Sequence, residues 1–349
     1  MNIRSGRREA AGRRWFAGAM VAIAAAGLAP SLAACGSGAD PAAIVLYSGQ
    51  HPQLTAALVA AFTKQTGISV RVRVGDGIVL ADQLLQEGSA SPADVYLSEN
   101  SPELVDLDQH HLLARLSRSM LAQMPAQREA PSGDWIGIAL RVGALAYDPR
   151  LVSAAQLPQS ILALAQPEWK GKIAVAPTDS DFPPLVGAVI AAYGQAMAAR
   201  WLTGLERNAQ IFQTDESVVA AVNRGDVAAG LINHYYWYRL RVEIGARSMH
   251  SALHWFARND PGSVVNISGA AVLASSSHRR QAMAFIRFLV SPVAQHIIAR
   301  SDDFEYPALP GVRPNPELPA LSSIASATLN PLVLGNDLSA AQLIQQIGL

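Results

Sequence analysis

Short apolar stretches alternate along this chain with stretches of helical periodicity, and this alternation is the strongest constraint on its fold. Residues 43–48, 69–74 and 93–97 have the pattern of strands, and helical stretches at 52–65 and 78–87 separate them. The rhythm returns with strand patterns at 173–176, 211–213 and 227–232 and helical patterns at 184–193, 195–205 and 217–223. Consecutive β-α-β units predict a mostly parallel sheet covered by helices, so we expect an α/β protein.

Two long apolar stretches interrupt the alternation. Residues 135–147 are too long for one ordinary strand, and residues 263–275 form a similar β-rich stretch. Two such crossings fit a chain that passes from one α/β lobe into another and returns, with a cleft between the lobes that closes by hinge motion. The predicted first lobe comprises residues 43–138 and 268–312, and the second comprises residues 139–267 and 313–349.

Residues 1–34 have the features of an export signal. Five arginines precede a short apolar core at 16–28, which ends in small residues and is too short to span a bilayer comfortably. The ending Leu-Ala-Ala-Cys resembles a bacterial lipobox, so we expect lipidation of Cys35, with 35–42 as a tether. A weaker match to a twin-arginine motif leaves the export route open. The sequence predicts an exported protein, periplasmic or lipid-anchored to the outer face of the cytoplasmic membrane.

Composition argues against several classes of function. Cys35 is the only cysteine of the 349 residues, so the mature chain has no disulfide and no thiolate metal site. Removing residues 1–34 changes 27 basic against 27 acidic residues to 22 against 26, a formal charge of −4 that argues against nucleic acid as a partner. No Gly-x-Ser-x-Gly elbow, P-loop, His-Glu-x-x-His or Cys-x-x-Cys motif occurs, so we expect no enzyme.

An aromatic cluster lies where the last predicted strand of the second run ends. Residues 233–239 read Asn-His-Tyr-Tyr-Trp-Tyr-Arg and contain three of the chain's eight tyrosines. In open α/β sheets, ligands bind beyond the carboxyl ends of the strands. If the segment is a turn or the first turn of a helix, the phenols of Tyr235 and Tyr236 can reach one point. Two such oxygens indicate a hard, highly charged metal ion, ferric iron above all.

Eight short segments between residues 44 and 312 carry a resemblance to a known family. They are 46–51 (Leu-Tyr-Ser-Gly-Gln-His), 91–95 (Ser-Pro-Ala-Asp-Val), 168–172 (Glu-Trp-Lys-Gly-Lys), 176–178 (Ala-Pro-Thr), 222–225 (Val-Asn-Arg-Gly), 233–236 (Asn-His-Tyr-Tyr), 260–262 (Asp-Pro-Gly) with 266–270 (Asn-Ile-Ser-Gly-Ala), and 305–311 (Glu-Tyr-Pro-Ala-Leu-Pro-Gly). In this order they resemble the iron(III)-binding proteins of ABC transporters. The resemblance implies a two-lobe type II periplasmic-binding-protein fold, in which each lobe is a mixed, mostly parallel sheet flanked by helices.

The resemblance also implies a set of metal ligands. Family members typically hold iron with a histidine, a glutamate and two adjacent tyrosines, which by motif are His51, Glu99, Tyr235 and Tyr236. Fe³⁺ favours oxygen donors and tolerates imidazole, and a phenol with a pKa of about 10 ionises readily only beside a strong positive charge. Each of the four residues follows a predicted strand. The family relationship implies a monomer that captures Fe³⁺ and passes it to an ABC permease driven by a cytoplasmic ATPase.

The expected anion site departs from the family pattern. Many relatives place small or polar residues after Pro-Thr at a helix N-terminus, whose free N–H groups hold phosphate. Here residues 178–182 read Thr-Asp-Ser-Asp-Phe, and a position that is often asparagine is Asp215. Carboxylates repel phosphate, so we expect a synergistic anion that is carbonate-like or absent; alternatively, Asp179 or Asp181 only caps the helix beginning near Pro183. The candidate anion contacts are Thr178, Ser180, Asn233 and Arg141.

Two other functions were weighed against iron capture. A binding protein of the same fold could take an organic ligand such as thiamine, a polyamine or an organophosphonate, and the acidic stretch 179–181 would suit a polyamine. A secreted metal-dependent hydrolase would use His51 and Glu99, but such sites favour open, histidine-rich coordination. The tyrosine pair together with His51 and Glu99 favours iron over both.

Overall fold

The strands form one mixed sheet whose two ends are built from separate parts of the chain. The computed structural model describes residues 43–325 and 334–349; the predicted signal at 1–34 and tether at 35–42, with Cys35, lie outside the described residues. The strands are β1 (Ile44–Ser48), β2 (Val70–Val74), β3 (Val95–Ser98), β4 (Leu113–Ala114), β5 (Trp135–Tyr147), β6 (Ile173–Val175), β7 (Ala209–Ile211), β8 (Ala229–Asn233), β9 (Ala252–His254), β10 (Val265–Leu273) and β11 (Tyr306–Pro307).

Helices cover this sheet and account for most of the remaining regular structure. They are α1 (Pro52–Thr66), α2 (Gly77–Glu87), α3 (Ser101–Gln109), α4 (Arg118–Leu121), α5 (Phe182–Tyr193), α6 (Gln195–Asn208), α7 (Asp215–Arg224), α8 (His234–Ile244), α9 (Arg279–Leu289), α10 (Pro292–Arg300), α11 (Leu321–Ile324) and α12 (Leu338–Ile347). The alternation predicted from the sequence is confirmed, with element ends shifted by a few residues at most.

The sheet order is β2-β1-β3-β10-β5-β8-β6-β7, with β4 paired to β10 and with β9 and β11 paired to β5. Parallel pairs lie toward both ends, where β1 joins β2 and β3 and where β6 joins β7 and β8. The central strands β5 and β10 run antiparallel to their neighbours. The predicted α/β class and the mixed sheet flanked by helices are therefore confirmed, but the expectation of a mostly parallel sheet is wrong: among the described strands six pairs are antiparallel and four are parallel.

A single strand, β5, serves both halves of the sheet. Its first part, Trp135 to Val142, pairs with β10, and its last part, Gly143 to Tyr147, pairs with β8. This double pairing explains why the apolar stretch exceeds the length of an ordinary strand. The described residues belong to one compact unit, and two of the three boundaries proposed between the lobes fall within β5 and β10, so the division into lobes stays a proposal.

Helix α1 shows how the local sequence produces an element that carries a site residue at its start. Pro52 occupies the first turn, where its missing N–H costs nothing, and Gly67 ends the helix with a left-handed φ of 73°. Leu54, Leu58 and Phe62 recur on one buried face. Burial of each such side chain contributes roughly 1.5–3 kcal/mol. The helix is thus held against β1 by packing, with its N-terminus at the carboxyl edge of the sheet.

Three apolar clusters make up the core of the described residues. One lies around α1, α9 and α10, a second lies around α5 and α6, and a third extends along both halves of the sheet and includes Tyr235 and Tyr236. No single described helix is long and apolar enough to cross a membrane. Helices α9 and α10, which meet at 57°, pass that criterion only as a bent pair.

Candidate metal centre

Four helices begin near the carboxyl ends of strands, two in each half of the sheet, and their N-cap side chains do not cap them. These residues are His51 for α1, Asn100 for α3, Asp181 for α5 and Asn233 for α8. Asparagine and aspartate are preferred caps, so their side chains are used for something else here. Helix N-termini carry partial positive charge and favour anionic groups. The starts of these helices are therefore suited to carboxylates and phenolates.

Tyr235 lies at the centre of this cluster, in the first turn of α8. Its hydroxyl is 3.0 Å from Glu99 Oε1 and 2.9 Å from Asp181 Oδ2, and the side chain is fully buried. A phenol has one hydrogen to donate, so the two carboxyl oxygens share it or one of the carboxyls is protonated. Burial raises the pKa of Glu99 well above its ordinary value, with Arg141 opposing that shift. The three side chains form one coupled group.

Tyr236 packs beside Tyr235 with the ring centroids 4.1 Å apart and an angle of 31° between the rings. The strand-to-helix turn thus packs the rings of the two adjacent tyrosines against each other. Burial raises the pKa values of both phenols well above 10, and the nearby charges of Asp181 and Glu99 raise them further. Each phenol consequently needs a cation beside it to become a phenolate.

The imidazole of His51 completes the group from the start of α1. Its Nε2 lies 3.5 Å from Glu99 Oε1, and its ring meets the ring of Tyr235 edge-on at a centroid distance of 5.1 Å. Burial lowers the pKa of His51 well below 6.5, and the positive charges of Arg239 and Arg141 act in the same direction. The ring is therefore neutral and has a lone pair available for a metal. The structure brings all four predicted metal ligands together.

Arg141 supplies the positive charge that balances the carboxylates. The guanidinium is fully buried, donates to Glu305 Oε1 at 3.0 Å and to Asn100 Oδ1 at 2.8 Å, and also contacts the backbone oxygen of Glu99. Its Nε lies 3.7 Å from Asp181 Oδ1. Burial alone would lower the pKa of Arg141, but three carboxylates, Asp181 first among them, raise it above its ordinary value. Arg141 is thus engaged with protein groups on most of its donors.

Asp179, Asp181 and Asp215 form an acidic cluster whose carboxylate oxygens lie within 4.8 Å of one another. Two of the three are satisfied by backbone N–H groups. Asp179 accepts from Asp181 N at 3.1 Å and from Asp215 N at 2.9 Å, and Asp215 accepts from Asn233 N at 3.2 Å. Burial, reinforced by Asp181, raises the pKa of Asp179 to about 7. Asp181 differs because it faces Tyr235 and Arg141.

The expectation that Asp181 caps α5 is wrong, because it is the N-cap residue but its side chain makes no capping hydrogen bond. Asp179 accepts from the N–H of this N-cap residue and also from the first residue of α7. Among the candidate anion contacts, Thr178 is exposed and donates to Gln213 O at 3.2 Å. Ser180 presents its backbone oxygen to Asn100 Nδ2 at 3.3 Å. The place expected for an anion is filled largely by carboxylates and their own partners.

A donor set of two phenols, two carboxylates and one neutral imidazole suits a hard trivalent cation. Such ions take oxygen ligands and accept imidazole, whereas soft ions prefer thiolates. Tyr235, Glu99, Asp181 and His51 lie in contact with one another, and the ring of Tyr236 packs on that of Tyr235. The geometry fits a closed metal site better than a catalytic site with open coordination.

Comparison with known proteins gives the same picture. The family model for bacterial extracellular solute-binding proteins matches residues 44–301. An Fe(3+)-binding periplasmic protein of Serratia marcescens is 40% identical over 329 residues, which is 94% of this chain and 97% of the relative. The chain belongs to this solute-binding family, in the group of ferric iron-binding proteins.

Solved structures place this solute-binding protein among the type II periplasmic binding proteins. Iron-bound HitA of Pseudomonas aeruginosa is 39% identical, with a TM-score of 0.84 over 88% of this chain and 100% of that one. Trichodesmium FutA in complex with iron and citrate is 31% identical, with a TM-score of 0.75 over 88% of this chain and 99% of that one. The fold predicted from the sequence motifs is confirmed.

Sequence analysis missed two acidic residues of the centre and assigned a third a different role. Asp303 lies beside His51. Glu305 accepts a hydrogen bond from Arg141, which lies 164 positions earlier in the chain. Glu305 begins one of the matched segments, and a charged residue before a buried strand was the available signal. Asp181 was expected only to repel an anion or to cap a helix, whereas it accepts from Tyr235.

His234 takes no part in the donor set, because backbone groups engage both of its ring nitrogens. Its Nδ1 accepts from Val142 N at 3.2 Å, and its Nε2 donates to Phe304 O at 2.9 Å. Burial lowers the pKa of His234 to about 4. The ring is neutral and fixes the start of α8, directly before Tyr235.

Proposed function

We propose that this protein captures ferric iron outside the cytoplasm through His51, Glu99, Tyr235 and Tyr236 and delivers it to a membrane permease. The observation that carries the proposal is the contact group around Tyr235, whose hydroxyl lies within 3.0 Å of two carboxyl oxygens while its ring touches Tyr236 and His51. Each of these donors is of a type that Fe³⁺ prefers.

Iron replaces protons in this site. Tyr235 and Tyr236 are protonated without metal because burial raises their pKa values, so both ionise only as Fe³⁺ enters. Two phenolates with Glu99 and Asp181 bring four negative charges to a trivalent ion. Arg141, buried against Asp181 and Glu99, offsets the excess.

Asp181 takes the place that a free anion occupies in many members of the family. Its Oδ2 already lies 2.9 Å from the Tyr235 hydroxyl, so it reaches the metal position without a change of fold. A fixed carboxylate also repels phosphate from the same place. We therefore propose that iron binding here needs no phosphate, with any exogenous anion being carbonate-like or absent.

The relatives favour iron over the organic ligands considered from the sequence, namely thiamine, a polyamine or an organophosphonate. Ferric iron-binding proteins match nearly the full length of the chain. Relatives that are solute-binding proteins also favour binding over catalysis, and no role as an enzyme is proposed.

The cellular setting follows from the same proposal. Family membership supports export and work with an ABC permease and its ATPase. Cys35 would carry the lipid that holds the protein, as a monomer, at the outer face of the cytoplasmic membrane. The two proposed lobes would close on the ion by bending at β5 and β10, where the chain crosses between them.

Titration of the purified mature protein with ferric citrate tests the iron proposal. We expect a tyrosinate-to-iron charge-transfer colour that saturates at one ion per chain. Replacement of Tyr235 by Phe removes a phenolate, so the colour should be lost and affinity should fall by more than the roughly 100-fold typical of outer-shell changes. Tyr238→Phe is the matched control, because its hydroxyl contacts Glu317 O instead. A wild-type protein that stays colourless would reject iron as the ligand.

A further inference from the structure

Asp303 faces the one nitrogen of His51 that the proposed metal site does not use. Its Oδ1 lies 3.5 Å from His51 Nδ1, while His51 Nε2 lies 3.5 Å from Glu99 Oε1. Both side chains are buried, and within the described chain Nδ1 has no hydrogen-bond partner. The two nitrogens of an imidazole point in different directions. A metal shared with Glu99 at Nε2 therefore leaves Nδ1 to Asp303.

The backbone around Asp303 is held in an uncommon conformation that aims this carboxylate. Phe304 has a φ of 52°, in the left-handed region that bulky residues rarely adopt. Its carbonyl accepts from His234 Nε2 at 2.9 Å, and its ring stacks on Tyr238 at a centroid distance of 5.0 Å. On its other side, Glu305 holds Arg141. The surroundings thus fix the turn, and with it the direction of the Asp303 side chain.

We propose that Asp303 is a positioning residue for His51, which it orients by accepting a hydrogen bond from Nδ1–H. That bond sets the tautomer in which Nδ1 carries the hydrogen and Nε2 keeps its lone pair. A carboxylate behind a ligating histidine fixes the ring direction and strengthens the donor nitrogen. The distance of 3.5 Å is longer than a hydrogen bond, and such contacts tighten when the ligand is bound. The inference rests on the proposed iron site.

The neighbouring Asp302 provides a matched control. It precedes Asp303 directly, is exposed, and lies in the same segment after α10. Both residues border a groove between α1, α8 and α10, and it is the Asp303 carboxylate that lies against His51. Replacement of Asp302 changes the local charge equally and leaves the contact with His51 intact.

The test combines the ¹⁵N NMR signals of His51 with iron affinity. We expect Nδ1 to carry the hydrogen in the wild type, both without metal and with the diamagnetic probe Ga³⁺. Asp303→Ala should give a mixture of tautomers without metal and should weaken Fe³⁺ binding about 10- to 100-fold in competition with citrate. Asp303→Asn keeps an acceptor oxygen, so it should retain most of the wild-type tautomer preference and most of the Fe³⁺ affinity. Asp302→Ala should resemble the wild type in both measurements.

A double-mutant cycle decides whether Asp303 acts through His51. In a His51→Ala background, Asp303→Ala should cost no further affinity, because the group it orients is gone. An unchanged tautomer in Asp303→Ala, or an equal loss of affinity in both backgrounds, would overturn the proposal. The tautomer of His51 in the metal-free protein is measured without any iron present. A wild type that binds no iron therefore refutes the iron site itself, whereas a failed tautomer response refutes only the role of Asp303.

Discussion

One hydroxyl hydrogen on Tyr235 lies between two carboxyl groups, and this arrangement sets Asp181 apart from its acidic neighbours. Asp179 and Asp215 accept from backbone N–H groups and stabilise the local turns. Within the described residues, the hydrogen bond that the Asp181 carboxylate accepts comes from Tyr235, a side chain that must itself ionise to bind a metal. Its carboxylate is therefore available to the ion, and the charge of Arg141 makes its burial tolerable.

Removal of the Asp181 carboxylate should make iron binding depend on an added anion. Wild-type affinity should be the same with and without phosphate, because the protein itself fills that ligand position. Asp181→Ala should bind iron at least about 10-fold more weakly in anion-free buffer and should recover part of the loss when carbonate is added. Competition titrations with citrate measure the iron affinity with and without the added anion.

Glu216→Gln is the control for this comparison, since Glu216 is an acidic residue near the cluster that is largely exposed and pairs with Arg239 at 3.8 Å. It should bind iron as the wild type does in either buffer. A wild type that itself requires phosphate would contradict the assignment of Asp181.

The strand β5 joins the two ends of the sheet, and the backbone is tightly packed where its pairing changes. At Gly143 the strand leaves β10 and begins to pair with β8. A Cβ atom there would lie 2.5 Å from the carbonyl oxygen of Gly262, which is closer than real contacts allow. The crossing point requires glycine because the two backbones approach so closely. A clash of an added Cβ with a backbone oxygen cannot be relieved by a change of side-chain rotamer.

Gly143→Ala should therefore destabilise the protein by roughly 1–3 kcal/mol, the usual cost of overpacking. Thermal unfolding followed by circular dichroism measures the effect. At Gly75 an added Cβ would meet only the side chain of Leu80, at 3.2–3.4 Å, so Gly75→Ala should be milder. An equal loss of stability in Gly143→Ala and Gly75→Ala would contradict the claim that the backbone contact at Gly143 requires glycine.

Folding of the whole protein buries several carboxyl groups and thereby changes their pKa values. Burial raises the pKa of Asp179 from 3.8 to about 7 and that of Glu305 from 4.5 to about 7. The folded state holds these protons more tightly than the unfolded state. Their stabilising contribution is complete below about pH 4 and is lost as the pH rises from about 4 to 7.

The metal-free protein should consequently lose stability between about pH 5 and pH 7.5, by up to a few kcal/mol. Urea unfolding across this range measures the slope. Asp179→Asn should flatten the slope because it removes one of the titrating groups. Asp226→Asn, an exposed residue paired with Arg224, should leave it as in the wild type. Stability that rises steadily to pH 7.5 would contradict the described burial of these acids.

Much of the fold and the proposed ligand set could be predicted because both follow from local patterns. Strand ends can be read from apolar stretches, and His51, Glu99 and the tyrosine pair each follow such a stretch. Because β1 and β3 run opposite to β8, their grouping in advance depended on the motifs of the resembled family. Contacts such as Arg141 with Glu305, 164 positions apart, depend on how β5 and β11 pack. No spacing in the sequence indicates such contacts. The role assigned to Asp181 differs from the expected one because the structure places the positive charge of Arg141 beside it.

A crystal structure of the protein grown with ferric citrate, with data collected at the iron absorption edge, tests the iron site itself. The predicted result is a single anomalous peak bonded to the hydroxyl oxygens of Tyr235 and Tyr236, Glu99 and His51 Nε2, with Asp181 in the shell and no phosphate. A peak bound only by Asp179, Asp181 and Asp215, or an organic molecule in the place of the metal, would contradict it.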